Sequence, residues 1–265
     1  MRNSTQFRSL GLALTLLFSP TAIPQSFDAR PILDRAVHPI YGTNEPKPLL
    51  QALKSLSGRS TTTYLDFGVE LDTDEAHQPM ILIGSTEGLT VGQVLNRILA
   101  QAAGYYYPVK SPHFISIAPK QLRNDPKDIL NRSIATFDVD GIQSGEILTW
   151  PERFVPELWR VLHQETPGKQ QVYVYQGIGV AIGPLVTLHL RDTTLREILD
   201  SVSIATEAAG PHALPLGWVF SMEPTEDAGP APKWHLMVGA PGNWKQLRTS
   251  ELQPHELLSG AKFLI

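Results

Sequence analysis

The densest set of groups able to do chemistry lies at Asp72, Asp74, Glu75 and His77. Calcium takes oxygen ligands at alternating positions along a loop, and Asp72-Thr73-Asp74 begins such a run. The glycine that turns a calcium loop and the late bidentate glutamate that closes it are both missing, so a solvated acidic link from Glu70 to Glu75 is the expectation. The eight histidines are scattered. They form no His-x-His set and no pair at the spacing that brings two rings to one helix face, so zinc has no ligand set. His189 and His235 lie in predicted strands as ordinary sheet histidines. Ser85 follows Gly84 after a strand, but Gly-x-Ser-x-Gly is absent and no base can be assigned. Gly177, Gly179 and Gly183 precede a strand rather than a helix, so they lack the helix dipole that a phosphate loop uses. No catalytic, cofactor-binding or metal-ligating residue is assigned.

The aromatic residues offer binding chemistry instead. In Tyr105-Tyr106-Tyr107 the pleat of a strand sends Tyr105 and Tyr107 to one face and Tyr106 to the other. Trp218 and Trp234 fall on the two arms of a second predicted hairpin and are expected as cross-strand neighbours. Such rings ordinarily pack a helix onto its sheet. They could also anchor a partner that adds a strand to a hairpin edge. Tyr105, Tyr107, Trp218 and Trp234 are therefore the candidate partner-binding residues.

The elements that must position these rings occur twice. Leu49, Leu50, Leu53 and Leu56 follow Pro48 at helical spacing, with Pro48 in the first turn and Gly58 as the stop. Strands are predicted at 63–69 and 79–83. The helix from Thr90 carries Val91, Val94, Leu95 and Ile98 on one face, with Thr90 and Gln93 as a capping box. A hairpin follows, 105–109 and 113–117, ending Ala118-Pro119. In the second half, strands are predicted at 135–139, 171–175 and 185–190, with Arg191-Asp192-Thr193 a polar link. A helix is expected to start at Pro151 or Pro156, with Val155, Leu158, Trp159 and Leu162 inward. The helix from Thr194 repeats the first at an offset of 104 residues: Glu197 stands for Gln93, and Leu195, Ile198, Leu199 and Val202 stand for Val91, Val94, Leu95 and Ile98. The second hairpin, 218–222 and 234–238, also ends Ala-Pro. The order strand–helix–strand–strand–helix–strand–strand, twice over, is the central reading.

Composition bounds the class. The 265 residues are 42% hydrophobic, enough for one large core or two ordinary ones. The formal net charge is −4 with no Lys/Arg block, which disfavours nucleic acid as a partner. Cysteine is absent, which excludes disulfides, thiolate chemistry and Cys-ligated metals. Arg2 and Arg8 precede the apolar run from Leu10 to Phe18 and then Ser19-Pro20, the pattern of a secretory signal, with Ala22 and Ser26 as cleavage candidates. An uncleaved anchor is the alternative. No later stretch is expected to span a membrane.

The run Val186-Thr187-Leu188-His189-Leu190-Arg191-Asp192-Thr193-Thr194-Leu195-Arg196-Glu197-Ile198-Leu199-Asp200 resembles the small domain shared by the N-termini of secretins and TonB-dependent transducers, often called STN. Leu89-Thr90-Val91-Gly92-Gln93-Val94-Leu95 carries the same pattern more loosely. The resemblance implies a small exported interaction module in tandem, without the pore, plug or barrel of those proteins. The expectation is an α+β protein of two repeated domains, each with two helices packed on short mixed or antiparallel sheets. The divisions are 1–26 signal peptide, 27–119 first domain, 120–132 linker, 133–242 second domain and 243–265 tail. Its expected role is non-enzymatic: a periplasmic adaptor binding envelope proteins of a secretion or TonB system, without a cofactor, and able to self-associate. The alternatives are a small-ligand binder or hydrolase with its cleft between the domains, and a ring-forming component of a secretion complex.

Overall fold

The computed structural model describes residues 31–37, 44–57, 66–73, 75–112, 114–149, 151–155, 171–176, 183–208, 217–222 and 233–239, with the strands at 171–176 and 233–239 given as backbone apart from Leu236. The predicted signal peptide, the tail and the expected helix contacts of Leu158, Trp159 and Leu162 lie outside these residues. What is described is a mixed α+β structure with several sheets.

In the first half, β1 (Lys47–Pro48) leads directly into α1 (Leu49–Ser57), then β2 (Asp66–Glu70), β3 (Met80–Ile81), α2 (Val91–Gln101), β4 (Tyr105–Tyr106) and β5 (Phe114–Pro119). In the second, β6 (Ser133–Gln143) is followed by α3 (Ser144–Thr149), α4 (Pro151–Phe154), β7 (Gln171–Gln176), β8 (Leu185–Thr194), α5 (Leu195–Ala208), β9 (Gly217–Met222) and β10 (Lys233–Gly239). The capping boxes form as their sequences dictate. Thr90 Oγ1 accepts from the Gln93 amide while Gln93 Oε1 accepts from the Thr90 amide at 2.9 Å. Glu197 Oε2 accepts from the Thr194 amide at 3.0 Å, and Thr194 Oγ1 accepts from the Glu197 amide.

Local expectation and structure part at several points. Pro48 closes β1, opposite Met80, and the helix begins one residue later. In the second half a helix not expected from the sequence, α3, starts at Ser144, and Pro151 opens the short α4; Pro156 lies outside the described residues. Arg191-Asp192-Thr193 is no link: these residues extend β8, Thr136 opposite Arg191 and Ile134 opposite Thr193 on β6. Asp192 takes φ 48° within that stretch, a left-handed conformation that aspartate tolerates better than most residues. Glu70 belongs to β2 and not to the acidic link.

The largest sheet has the order β4-β5-β2-β9-β10-β7, so the two halves share it. Its middle is the parallel pair β2–β9, with Gly68 opposite Trp218, Val69 opposite Val219 and Glu70 opposite Phe220. The expectation gave each half sheets of its own. A three-stranded half leaves the outer edge of β2 with unsatisfied amides and carbonyls, and β9 of the other half satisfies them. Strands β5, β2 and β9 run one way, while β4, β10 and β7 run the other.

Alternation along the strands divides the core in two. Phe67, Val69, Ile115, Ile117 and Val219 turn to one face, where α1 and α2 cover them. Phe114, Trp218, Phe220 and Leu236 turn to the other, under α3 and α5. The first half's strands thus carry their own helices on one face and the second half's α5 on the opposite one. Two antiparallel ribbons, β1–β3 and β6–β8, complete the described strands.

Candidate functional site

The face of β2 and β5 under α5 is where charge is buried. On α5, Leu195, Ile198, Leu199 and Val202 form the apolar stripe, and beside it Arg196 and Asp200 stand one turn apart, both almost wholly enclosed. Arg196 Nη2 donates to Glu70 Oε2 at 2.8 Å and to Asp128 Oδ2 at 3.0 Å, while its Nε donates to Asn131 Oδ1 at 3.3 Å. Asp128 is held by its place in the chain, because its other oxygen caps the short turn Ile129–Asn131 through the Leu130 amide at 2.9 Å. One arginine on the second half therefore gathers two carboxyls and an amide from the segments before it.

A turn further along α5, Asp200 Oδ1 accepts from the Trp218 indole N–H at 3.2 Å, and Lys110 Nζ stands 3.9 Å from Oδ2. Trp218 is fully buried and lies flat against Gly68: a Cβ at that glycine would stand 2.5 Å from the indole. Only a residue without a side chain lets the ring approach the backbone so closely. Three polar atoms of this region have no hydrogen-bond partner: Glu70 Oε1, Arg196 Nη1 and Asp200 Oδ2.

Burial dominates the electrostatics. It pushes the Glu70 carboxyl up to about 8, against the pull of Arg196 and with a further push from Asp128. It pushes Asp200 up to about 6, against the pull of Lys110 and Arg196. Carboxyls placed this way can exchange protons near neutral pH. Between Lys110 and the side of α5 lies an open groove of about 430 Å³, with Leu190, Thr193, Glu197, Asp200 and Ile204 in its walls. It mixes both signs of charge with apolar surface.

Tyr105, Tyr107 and Trp218, of the aromatic residues singled out in the sequence, are all engaged in packing. Tyr105 is buried in the core under α2, and its hydroxyl donates to Asp72 Oδ1 at 2.6 Å. Burial, and then the Asp72 carboxylate, raise that phenol above its ordinary value. Tyr107 packs half-buried on the same core and donates to Asn96 Oδ1 at 2.7 Å. Tyr106, on the other face, stacks under the Arg123 guanidinium at 5.1 Å. The strand register corrects the expected tryptophan pair: Trp234 lies opposite Met222 and Trp218 opposite Val238, so the two positions are four residues out of register on each arm. The side chain of Trp234 lies outside the described ones.

The acidic stretch near Asp72 also has structural work. Asp72 accepts from Tyr105 and, through Oδ2, from Gln121 Nε2 at 2.7 Å. Asp74 lies outside the described residues. Among the described residues no group of His, Asp and Glu is placed to hold a metal ion, and no helix is long and apolar enough to cross a membrane. Sequence reading missed Glu70, Asp128, Arg196 and Asp200. A signal for two of them was present: at the offset of 104, Arg196 replaces Gly92 and Asp200 replaces Asn96, charges where the earlier helix has none.

No protein-family model, curated protein or solved structure matches this chain.

Proposed function

We propose that the chain is an exported, non-enzymatic interaction module of the cell envelope, built from two STN-like copies at 27–119 and 133–242. The observation that carries the duplication is strand pairing. In β4-β5-β2 and again in β9-β10-β7, a hairpin is followed by the preceding strand of the same half, paired parallel with the hairpin's second arm. The antiparallel ribbons β1–β3 and β6–β8 extend the correspondence. A half-turn about an axis across the strands, combined with a shift of three strands along it, relates the two triplets. It reverses strand direction and exchanges faces, in agreement with the strand directions and with helices on opposite sides of the sheet. The secretory pattern before Ser26 supports export to the periplasm. The STN resemblance supports a protein partner from a secretion or TonB system.

The test is a cross-linking pull-down from the native envelope with the mature chain as bait. Stoichiometric recovery of a secretin or a TonB-system component supports the module. Fractionation of the chain with the cytoplasm, or recovery of nothing but the chain itself, counts against it.

One observation favours a second reading, a small-ligand binder. The groove beside α5 lies between the halves, carries charge of both signs and has the enclosed Asp200 carboxyl in its wall. A ligand bearing both an ammonium and a carboxylate suits that lining. Thermal-shift titration with lysine and glycine, repeated on Asp200→Asn, tests it. A shift that the substitution abolishes supports binding, and no shift at millimolar ligand removes the reading.

A further inference from the structure

We propose that the buried carboxyls around Arg196 form a proton-operated latch that fastens α5 to the first-half strands when protonated and loosens it when they ionise. The inference rests on the position and count of charges and on neither reading above.

Four separate segments converge on this junction. Glu70 comes from the end of β2, Asp128 from the turn before β6, Lys110 from the segment between β4 and β5, and Arg196 and Asp200 from α5. Three carboxyls therefore face two cations, and one cation is loosely engaged: Lys110 is about a third exposed and 3.9 Å from Asp200. Glu70 and Asp128 both accept from the same arginine nitrogen, which brings two like-charged groups together while Arg196 Nη1 and Glu70 Oε1 go without a hydrogen bond. Two carboxylates in so small a space repel, and one proton between them relieves it. Around Asp200 the facing groups are Lys110, Arg196, the Trp218 indole and Ser116, and around Glu70 they are Arg196 and Asp128; Tyr106, under the Arg123 guanidinium, is near both carboxyls.

The direction follows from the shifts. Glu70 moves from an ordinary 4.5 up to about 8, and Asp200 from 3.8 up to about 6. The folded junction therefore holds protons that the opened one releases. Its stability is full below the ordinary values and is lost as pH rises through the raised ones. Opening lifts α5 from β2 and β5 and uncovers Trp218 and Phe114, which lie directly beneath it.

Amide hydrogen exchange of the full chain from pH 5 to 9, corrected for intrinsic rates, tests the latch. The opening constant of α5 and β2 is expected to rise with pH, approaching about tenfold per unit where one proton is released on opening. Exchange in α1 and α2 should rise less. Glu70→Gln, which keeps an acceptor for Arg196, should flatten the step above pH 6. Asp200→Asn should flatten the step below it, and serves if the first variant does not fold. An unchanged pH step in both variants, or equal loosening of all helices, overturns the proposal.

Discussion

Trp218 fits where it does because residue 68 has no side chain, so the close packing of the junction hangs on one glycine. Gly68→Ala puts a methyl group 2.5 Å from the indole and forces the ring away from the Asp200 carboxyl. Overpacking of this kind costs about 1–3 kcal/mol, read from urea denaturation, with a change in tryptophan fluorescence. Arg196→Met removes the cation that Glu70 and Asp128 share. Breaking a buried pair from one side costs roughly 3–5 kcal/mol, because the abandoned carboxyls must find protons or water. The loss should be smaller at pH 5, where Glu70 carries its proton. Tyr105 was singled out as a binding ring and is a core residue. Tyr105→Ser should cost about 3 kcal/mol, and Tyr105→Phe only about 1 for the lost bond to Asp72. Folding intact after Tyr105→Ser would contradict the burial. Sequence named this residue correctly as a strand aromatic, but which face lies under a helix is decided by elements far away in the chain.

At the scale of elements, the most legible parts were those set by neighbours in sequence. The apolar spacing of α2 and α5 and the Thr-x-x-Gln/Glu boxes gave both helices and their starts, since the cap is satisfied within four residues. Thr90→Ala should cost about 1 kcal/mol of stability, measured by thermal unfolding, because it frees a first-turn amide. Less legible were the elements whose extent depends on a partner strand. Arg191-Asp192-Thr193 reads as a turn from its polarity, yet pairing with β6 draws it into a ribbon whose outer face carries the charges. There Arg191 Nη1 donates to Asp138 Oδ2 at 2.7 Å, which with His189 holds the Asp138 carboxyl below its ordinary range. Glu70 reads as the first residue of an acidic link for the same reason. Asp72, Asp74 and Glu75 follow it closely in the sequence, while its partner is 126 residues away.

For the molecule as a whole, a sheet running through both halves makes a definite demand. If β2 and β9 are joined, neither half can unfold without exposing the other's strand edge. The described core should then melt in one cooperative transition, not two. Urea titrations followed by far-ultraviolet circular dichroism and by tryptophan fluorescence should coincide, and separated midpoints would mean the halves stand alone. The acid dependence belongs to this scale too. Stability should fall as pH rises from 4.5 to about 8, the window set by Glu70, with Asp200 contributing from 3.8 to about 6. Asp138 works in the opposite sense, but its window lies below the ordinary aspartate range and does not overlap. Unfolding midpoints at pH 5.5 and 8.5, compared between the natural chain and Glu70→Gln, measure the difference.

The sequence by itself determined the order of elements, the two capped helices and the hairpins closed by Ala-Pro, because each rests on contacts a few residues apart. It also carried the echo at an offset of 104, including the charges of α5 where α2 has none. Tertiary structure alone decided that β2 joins β9, that α5 lies on the first half's strands, and that Glu70, Asp128, Arg196 and Asp200 meet there. Strand edges are alike in their backbone chemistry, so local pattern cannot say which edge closes which. Once that pairing is made, the pleat fixes the faces, and a helix charge that reads as solvated becomes a buried one.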